Sequence, residues 1–380
     1  MAPAHKTRRS SASWIRKACP RNRALFSFPV FLNSYSFTGS LDVPISDYFL
    51  RSVQGYSAAE HNEQSAKLEI DAENLQTAAN AKIVYLQWIA AKGTTVVAHL
   101  SVDDAEKQVA DGKTGVQVGT ASPADEMRLE ARLAQAQFQE AEAHSIEATA
   151  TERLRTQMHA PPERQFAIGI DVLAAPPAPT LEPLDGLIAE GVRNRLELHA
   201  LDETRTSLDE ISSATTAGYL PRLDAFADAQ LTNPNQRIVP SVDKFFFTWD
   251  VGARLTWTVN DTFSNIGSKR TANARTADVA AQRDALADAV RIEVADAYAD
   301  LAKAMPSIEA ADRGVAAAEE TLRVTKKLFA FGKATGTQVV DAQTDLTSAR
   351  LRKLSAHINL ISAQIRLDHA VGRDIPRGGR

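Results

Sequence analysis

Phe245-Phe246-Phe247-Thr248-Trp249-Asp250-Val251-Gly252-Ala253-Arg254-Leu255-Thr256-Trp257-Thr258-Val259 is the stretch on which the fold turns. Its odd positions read Phe245, Phe247, Trp249, Val251, Ala253, Leu255, Trp257 and Val259. Its even positions are polar or small, apart from Phe246. A period of two puts the two sets on opposite faces of a strand. An earlier stretch does the same, with Tyr35, Phe37, Leu41, Val43 and Ile45 on one face and Ser36, Thr38, Ser40, Asp42 and Ser46 on the other. Leu223 to Leu231 alternates Leu and Ala with Asp224, Phe226, Asp228 and Gln230. Strands of about 9–11 residues with one apolar and one polar face suit a membrane barrel with a wet lumen. Phe245, Phe247, Trp249, Leu255 and Trp257 are then the lipid-facing candidates, with aromatics near the strand ends forming an interfacial girdle. A soluble sandwich strand shows the same alternation, so the surroundings must decide.

Those surroundings are long helices in a weak internal repeat. At an offset of 213, Tyr85 matches Tyr298, Val102 matches Val315, and Ala105-Glu106 matches Ala318-Glu319. Lys113, Gly119 and Ala121 match Lys326, Gly332 and Ala334; Leu133, Ala136 and His144 match Leu346, Ala349 and His357; Arg153-Leu154 matches Arg366-Leu367. Alanine-rich helices align with one another easily, but the glycine and aromatic pairs do not come from that. In the second copy Leu286, Val290, Val294, Tyr298, Leu301, Met305 and Ile308 step by threes and fours, the helical period. The spacing predicts a helix from about Ser268 to Phe331, kinked at Pro306, a turn over Gly332–Gly336, and a second helix carrying Leu351, Leu354, Ile358, Ile361 and Ile365. The first copy predicts Leu68 to Val118, a turn at Gly119–Pro123, then Asp125 to Met158. Both read as antiparallel coiled-coil hairpins far longer than a globular domain needs. Between the copies lie a proline-rich stretch, Ala160–Pro183, and a further helix over Leu184–Ala217. The implied division is 1–34, a basic and disordered N-terminus; 35–159, the first repeat; 160–184, a linker; 185–373, the second repeat; and 374–380, a tail.

The bulk numbers exclude more than they assign. A net charge of −4 over 380 residues does not point to nucleic acid. The single cysteine, Cys19, allows no intrachain disulfide and no cysteine-based zinc site. No run approaches the roughly 20 apolar residues of a spanning helix, so any crossing of a membrane falls to strands. Gly112-Lys113-Thr114 and Gly332-Lys333 lack the further glycine of a phosphate loop. The eight histidines do not cluster at metal spacing. Nothing indicates an enzyme, and no cofactor or metal is implied.

Four local sequences, in this order, resemble one family. Arg193-Asn194-Arg195-Leu196-Glu197-Leu198 is similar to an "RPEL" element with Leu196 in place of proline. Tyr219-Leu220-Pro221-Arg222-Leu223 resembles an "LP-x-L" lead-in to a barrel strand, and Trp249 to Trp257 the strand after it. Phe331-Gly332-Lys333-Ala334-Thr335 to Val340-Asp341-Ala342-Gln343 resembles a helical-turn tip. Together, over about Phe37 to Arg373, they resemble the TolC-like outer-membrane efflux proteins. The resemblance implies a mainly α chain with membrane β-strands: coiled-coil hairpins forming a periplasmic α-barrel, plus a trimeric 12-stranded β-barrel to which each subunit gives four strands. It implies a homotrimer in the Gram-negative outer membrane, contacting its lipid. The tip turns, with Gly119, Gly332, Lys333 and Gly336, would meet a periplasmic adaptor and an inner-membrane pump. Acids near the tip narrow the closed pore in this family. Asp341 sits at a matching position, the other tip acid falls on Gln338, and Asp125 stands at the first turn. A carboxylate ring at a constriction favours cations and repels itself, which fits a gate; an ordinary solvated helix residue is the alternative for Asp341. A full family subunit also has a long helix and a strand before Tyr35, which Met1–Asn33 does not supply. A late start codon, a frameshift or a degenerate gene is the expectation there.

The expected function is a passive exit duct in a tripartite efflux or secretion system. The alternatives are a periplasmic coiled-coil adaptor or scaffold, and a non-functional truncated efflux remnant.

Overall fold

The computed structural model describes residues 33–174, 181–239 and 242–374. The basic N-terminal segment up to position 32, Cys19 within it, the prolines Pro176, Pro177 and Pro179, and the last six residues lie outside this range. Contacts divide the chain into a sheet unit, through Phe49 and over Leu220–Thr258, and a helical unit, Leu50–Tyr219 and from Val259 onward.

The sheet unit holds three antiparallel strands in the order β1 (Tyr35–Val43), β2 (Arg222–Asn233), β3 (Phe246–Thr256). The register fixes the faces. Phe37, Leu231 and Phe247 stand in one row, and Leu41, Ala227 and Val251 in another. Thr38, Gln230 and Thr248 share a row on the opposite face. Strand β3 is shorter than the alternation predicts, so Phe245 precedes it and Trp257 follows it. After β1 the chain makes one helical turn, α1 (Ile45–Asp47). There Ser46 accepts from the Leu223 amide at 2.9 Å.

The helical unit contains α2 (Val53–Val118), α3 (Pro123–Gln157), α4 (Leu184–Asn194), α5 (Leu196–Thr216), α6 (Asp261–Ala330) and α7 (Gly336–Val371). At 66 and 70 residues, α2 and α6 are each about 100 Å long. Helix α2 begins 15 residues before the expected Leu68. Its first turns carry no leucine stripe because small and hydroxyl residues do the packing. The Ser207 hydroxyl donates to the Ala58 carbonyl at 2.7 Å, and Ser65 donates to that of Ala200 at 2.8 Å. Helix α6 likewise starts at Asp261 rather than Ser268, where Asn265 Nδ2 donates to the Gly218 carbonyl at 2.6 Å. Pro306 lies within α6, on an exposed position of a continuous helix.

Each long helix pairs antiparallel with its neighbour, as Trp88 to Thr151 and Lys113 to Glu130 mark for α2 and α3. The seam is made of small residues, with Ala136, Ala105 and Ala143 all buried. Gly112 and Gly93 allow the closest approaches; a Cβ on them would meet Leu129 at 2.6 Å and Leu354 at 2.7 Å. The larger apolar core lies among α4, α5, α6 and α7, around Leu187, Leu198, Val290, Val294, Leu301, Leu360 and Val371. Burying each such side chain contributes about 1.5–3 kcal/mol. A second cluster packs Trp88, Ile89 and Leu154 against Leu354 and Ile358, with Phe166 and Val172 from the irregular segment after α3. Gly169 in that segment donates its N–H to the Tyr85 hydroxyl at 3.0 Å.

One expectation is corrected. Leu184–Ala217 is not one helix; it breaks at Arg195, whose φ is −62° and ψ is 123°. That is the conformation a following proline would impose, yet Leu196 follows. Ionic contacts hold the break instead. Arg195 is buried and its guanidinium donates to both carboxylate oxygens of Glu197, at 3.0 and 3.1 Å, and to Glu293 at 3.2 Å. The same guanidinium reaches the His369 carbonyl at 3.5 Å.

Candidate functional site

The sheet has its faces the opposite way round from those of a soluble protein. Phe247, Trp249, Val251 and Leu255 are 63–69% exposed, and Phe37 and Leu41 beside them are as open. On the other face Asp224 and Thr232 are buried, at 9% and 7% exposure. Phe226 and, at the end of β3 opposite Thr232, Phe246 are the rings on that polar face. Phe226 is the central one. It lies over Gly252, where a Cβ would meet it at 2.8 Å, and under the Arg254 guanidinium at 5.0 Å. Glycine at 252 thus makes room for a ring that covers its own backbone. Arg237 pairs with Asp250 at 2.8 Å, and Arg222 with Asp224 at 2.7 Å. The lipid-facing candidates Phe247, Trp249 and Leu255 lie on β3, and all five, Phe245 and Trp257 included, are exposed. Both edge strands, β1 and β3, have one strand partner each among the described residues.

The hairpin tips are built alike. Helix α2 ends at Gly119, with φ of 78°. Its N–H bonds to the Val116 carbonyl at 3.2 Å and that of Thr120 to Gly115 at 2.9 Å. This pair is the Schellman motif, whose positive φ favours glycine. Helix α6 ends the same way at Gly332, φ 65°, with its N–H on Phe329 at 2.9 Å and that of Lys333 on Leu328 at 2.8 Å. Three residues later each turn starts the next helix with a capping box: Ser122 with Asp125 for α3, and Thr335 with Gln338 for α7. Glycine, cap and third residue recur at the offset of 213.

The two tips touch through Asp125. Its Oδ2 accepts from the Ser122 hydroxyl at 2.6 Å and backbone at 3.1 Å, while Oδ1 accepts from the Gly336 N–H at 2.9 Å. The Ser122 hydroxyl first, and then the Gly336 amide, hold the Asp125 carboxyl below the usual carboxylate range. Arg128 adds a bond to the Thr337 hydroxyl at 2.8 Å. A Cβ on Gly336 would stand 3.0 Å from Asp125, so glycine there sets the approach.

The structure therefore brings Asp125 and Gly336 together and gives Asp125 and Gln338 capping roles. Gln338 accepts the Thr335 N–H at 2.9 Å. Asp341 stands one turn on, exposed on α7, and Lys333 is exposed at the second turn. His144 is exposed and His357 is buried. Sequence reading missed the Arg128–Thr337 bond, the Arg195 cluster and a buried pair of amides, Gln108 and Gln343. Those glutamines break otherwise apolar stripes, which is the signal that could have found them.

No helix among the described residues is long and apolar enough to cross a membrane. Among them no group of three or more His, Cys, Asp or Glu residues could hold a metal ion.

Residues 189–373 match the family described as OEP, outer membrane efflux protein. No curated protein sequence matches the chain. Several solved structures have the same fold. The outer membrane protein VceC of Vibrio cholerae matches with a TM-score of 0.71 at 14% identity, over 90% of this chain and 86% of that one. The open state of the Neisseria gonorrhoeae MtrE outer membrane channel gives 0.71 at 16% identity, over 90% and 80%. The Campylobacter jejuni CmeC outer membrane channel gives 0.71 at 11%, over 92% and 79%.

Proposed function

We propose that this chain, a member of the outer membrane efflux protein family through the domain at residues 189–373, is the outer-membrane channel of a tripartite efflux system and works as a passive exit duct. The observation that carries this is the reversed sheet, with Phe247, Trp249, Val251 and Leu255 open and Asp224 and Thr232 buried. Such a face is costly in water and favourable in lipid. It does not suit the soluble sandwich or a periplasmic scaffold, which would bury the aromatic side.

Three subunits would close the sheet, because unpaired strand edges are not tolerated in hydrocarbon. A barrel of 12 strands takes four from each copy; the described residues provide three. The helical hairpins would stand in the periplasm and present the turns at Gly119, Gly332, Lys333 and Gly336 to an adaptor and its pump. Asp341, with Gln338 and Asp125 behind it, would line the narrow end. We read 35–159 and 185–373 as two copies of one strand-and-hairpin design, supported by the matching tips at an offset of 213.

Fractionation of cells expressing the chain tests the reading. An outer-membrane band that migrates as a trimer and collapses to monomer on boiling is expected. A soluble or monomeric chain would overturn it.

A further inference from the structure

The three strands continue into the helices at Val43, Arg222 and Thr256, one end of the sheet. The connection from β2 to β3 is therefore at the other end. A loop there would ordinarily stand out into solvent. Its first turn instead folds back onto the sheet. Asn235 is only 2% exposed. Its Nδ2 donates to the Phe246 carbonyl at 3.3 Å and stands 3.5 Å from Thr248 Oγ1. Its Oδ1 accepts from the Arg237 N–H at 2.9 Å, and its carbonyl from the Ile238 N–H at 3.2 Å. An asparagine side chain bonded to the backbone two residues on makes an Asx turn. The turn aims Arg237 along β3, where its Nη1 donates to Asp250 Oδ1 at 2.8 Å. Thr248 and Asp250 share the polar face, in the rows of Gln230 and Asp228. Residues 235–237 thus lie against the polar face.

The charges give the turn a reason to fold back. The register sets Asp228 directly across from Asp250, and like charges facing each other on two strands are unfavourable. Arg237 brings a cation to that row, which is lost if the turn swings out. The ion pair is open to water, with Arg237 51% and Asp250 44% exposed. An exposed pair of this kind holds weakly and can release.

We propose that residues 235–237 form an inward strap, latched by Arg237 on Asp250, that limits the size of solutes passing the outer mouth of the duct. The inference rests on the channel reading, in which the polar face lines the lumen and the end away from the helices faces outside. A layer laid on a sheet stands about 10 Å from it. Barrels of about 8 strands are filled by their own side chains, and those of about 16–18 hold an open channel. A barrel of roughly 12 strands lies between these, so one strap from each copy takes up much of its width.

Thiol labelling of intact cells expressing the full chain tests the strap. Ser40→Cys puts a thiol in the row of Asp228 and Asp250. Val239→Cys, at a position 84% exposed, marks the open part of the loop. Both are made with Cys19→Ser. A small maleimide is compared with one bearing a long polyethylene glycol chain. The long reagent should lag at Ser40→Cys relative to Val239→Cys. Arg237→Gln or Asp250→Asn should raise its rate at Ser40→Cys about two- to fivefold, the worth of one exposed ion pair. The small reagent's rate should not change. Asp228→Asn removes a charge from the same row without touching the latch and should have no effect. The swapped pair, Arg237→Glu with Asp250→Lys, should restore the parent rate. Should a latch variant fail to assemble, Asn235→Ala releases the same turn and is read in its place. No lag in the parent, no rise in the latch variants, or an equal rise in Asp228→Asn would each overturn the strap. A parent chain that forms no boil-sensitive trimer would instead overturn the channel reading beneath it.

Discussion

Replacing Val251 with lysine puts the membrane reading at risk in a way few changes do. Val251 is at the middle of β3, in a row with Ala227 and Leu41, and is 68% exposed. In water an exposed Val→Lys change in a strand is close to neutral, within about 0.5 kcal/mol. In lipid the account differs. Phe37, Leu41, Phe247, Trp249, Val251 and Leu255 are each about two-thirds exposed. Transfer of that remaining surface from water is worth roughly 1–2 kcal/mol per side chain. Over the six this is roughly 6–12 kcal/mol, the scale of a whole domain's stability. A lysine in mid-bilayer removes one share and adds a penalty of about 2–4 kcal/mol. Val251→Lys should therefore sharply reduce the heat-modifiable, outer-membrane form on gels. Thr248→Lys, on the opposite face of the same strand, should leave it nearly unchanged. Wild-type behaviour of Val251→Lys, or a defect in Thr248→Lys alone, would refute the assignment of faces.

Three further outcomes are expected. Leu196→Pro should be close to neutral, because Arg195 already has the backbone a proline requires and position 196 opens its helix; Arg205→Pro, in the middle of the same helix, should cost about 3 kcal/mol, and denaturation followed by circular dichroism separates them. The lowered pKa of Asp125 means that its contribution is complete above the ordinary carboxylate range and is lost as pH falls through its lower folded value. The protection of the Gly336 amide against hydrogen exchange, taken relative to its intrinsic rate at each pH, should thus be high at neutral pH and fall only in acid, while Asp125→Asn should lower it at neutral pH. Val294→Ala removes two methyls from a fully buried position and should cost about 2–3 kcal/mol in the same denaturation assay.

What could be read from the sequence follows from how local each signal is. Period-two alternation is a backbone property, so the pattern in Phe245 to Val259 gave the strand and the division of its faces. It could not say which face meets solvent; that is settled by Asp224 and Thr232 sitting inward. The helical stripe from Leu286 to Ile308 was equally plain. The first turns of α2 were not, because Ala58 and Ser65 pack by closeness and hydroxyl bonds rather than by bulk. The tip glycines were visible because positive φ selects them. The Asp125 link to Gly336 was not, since it joins residues 211 apart in the chain. The break at Arg195 was missed for a similar reason: its usual mark is a proline, and here Glu197 in the first turn of α5 and Glu293 from α6 take that role.

The bond between the tips has a direction. Under the offset that superposes the two turns, Asp125 falls on Gln338 and Gly336 falls on Pro123. Gly336 offers an N–H to Asp125 at 2.9 Å; Pro123 has no N–H to return to Gln338. The latch is thus keyed on one side only, and no swap of acid and amide between the copies could rebuild it. Drift at Asp125 would remove this bond and leave Arg128 to Thr337 as the remaining polar link between the ends, whereas drift at Gln338 would loosen one cap and leave both links whole.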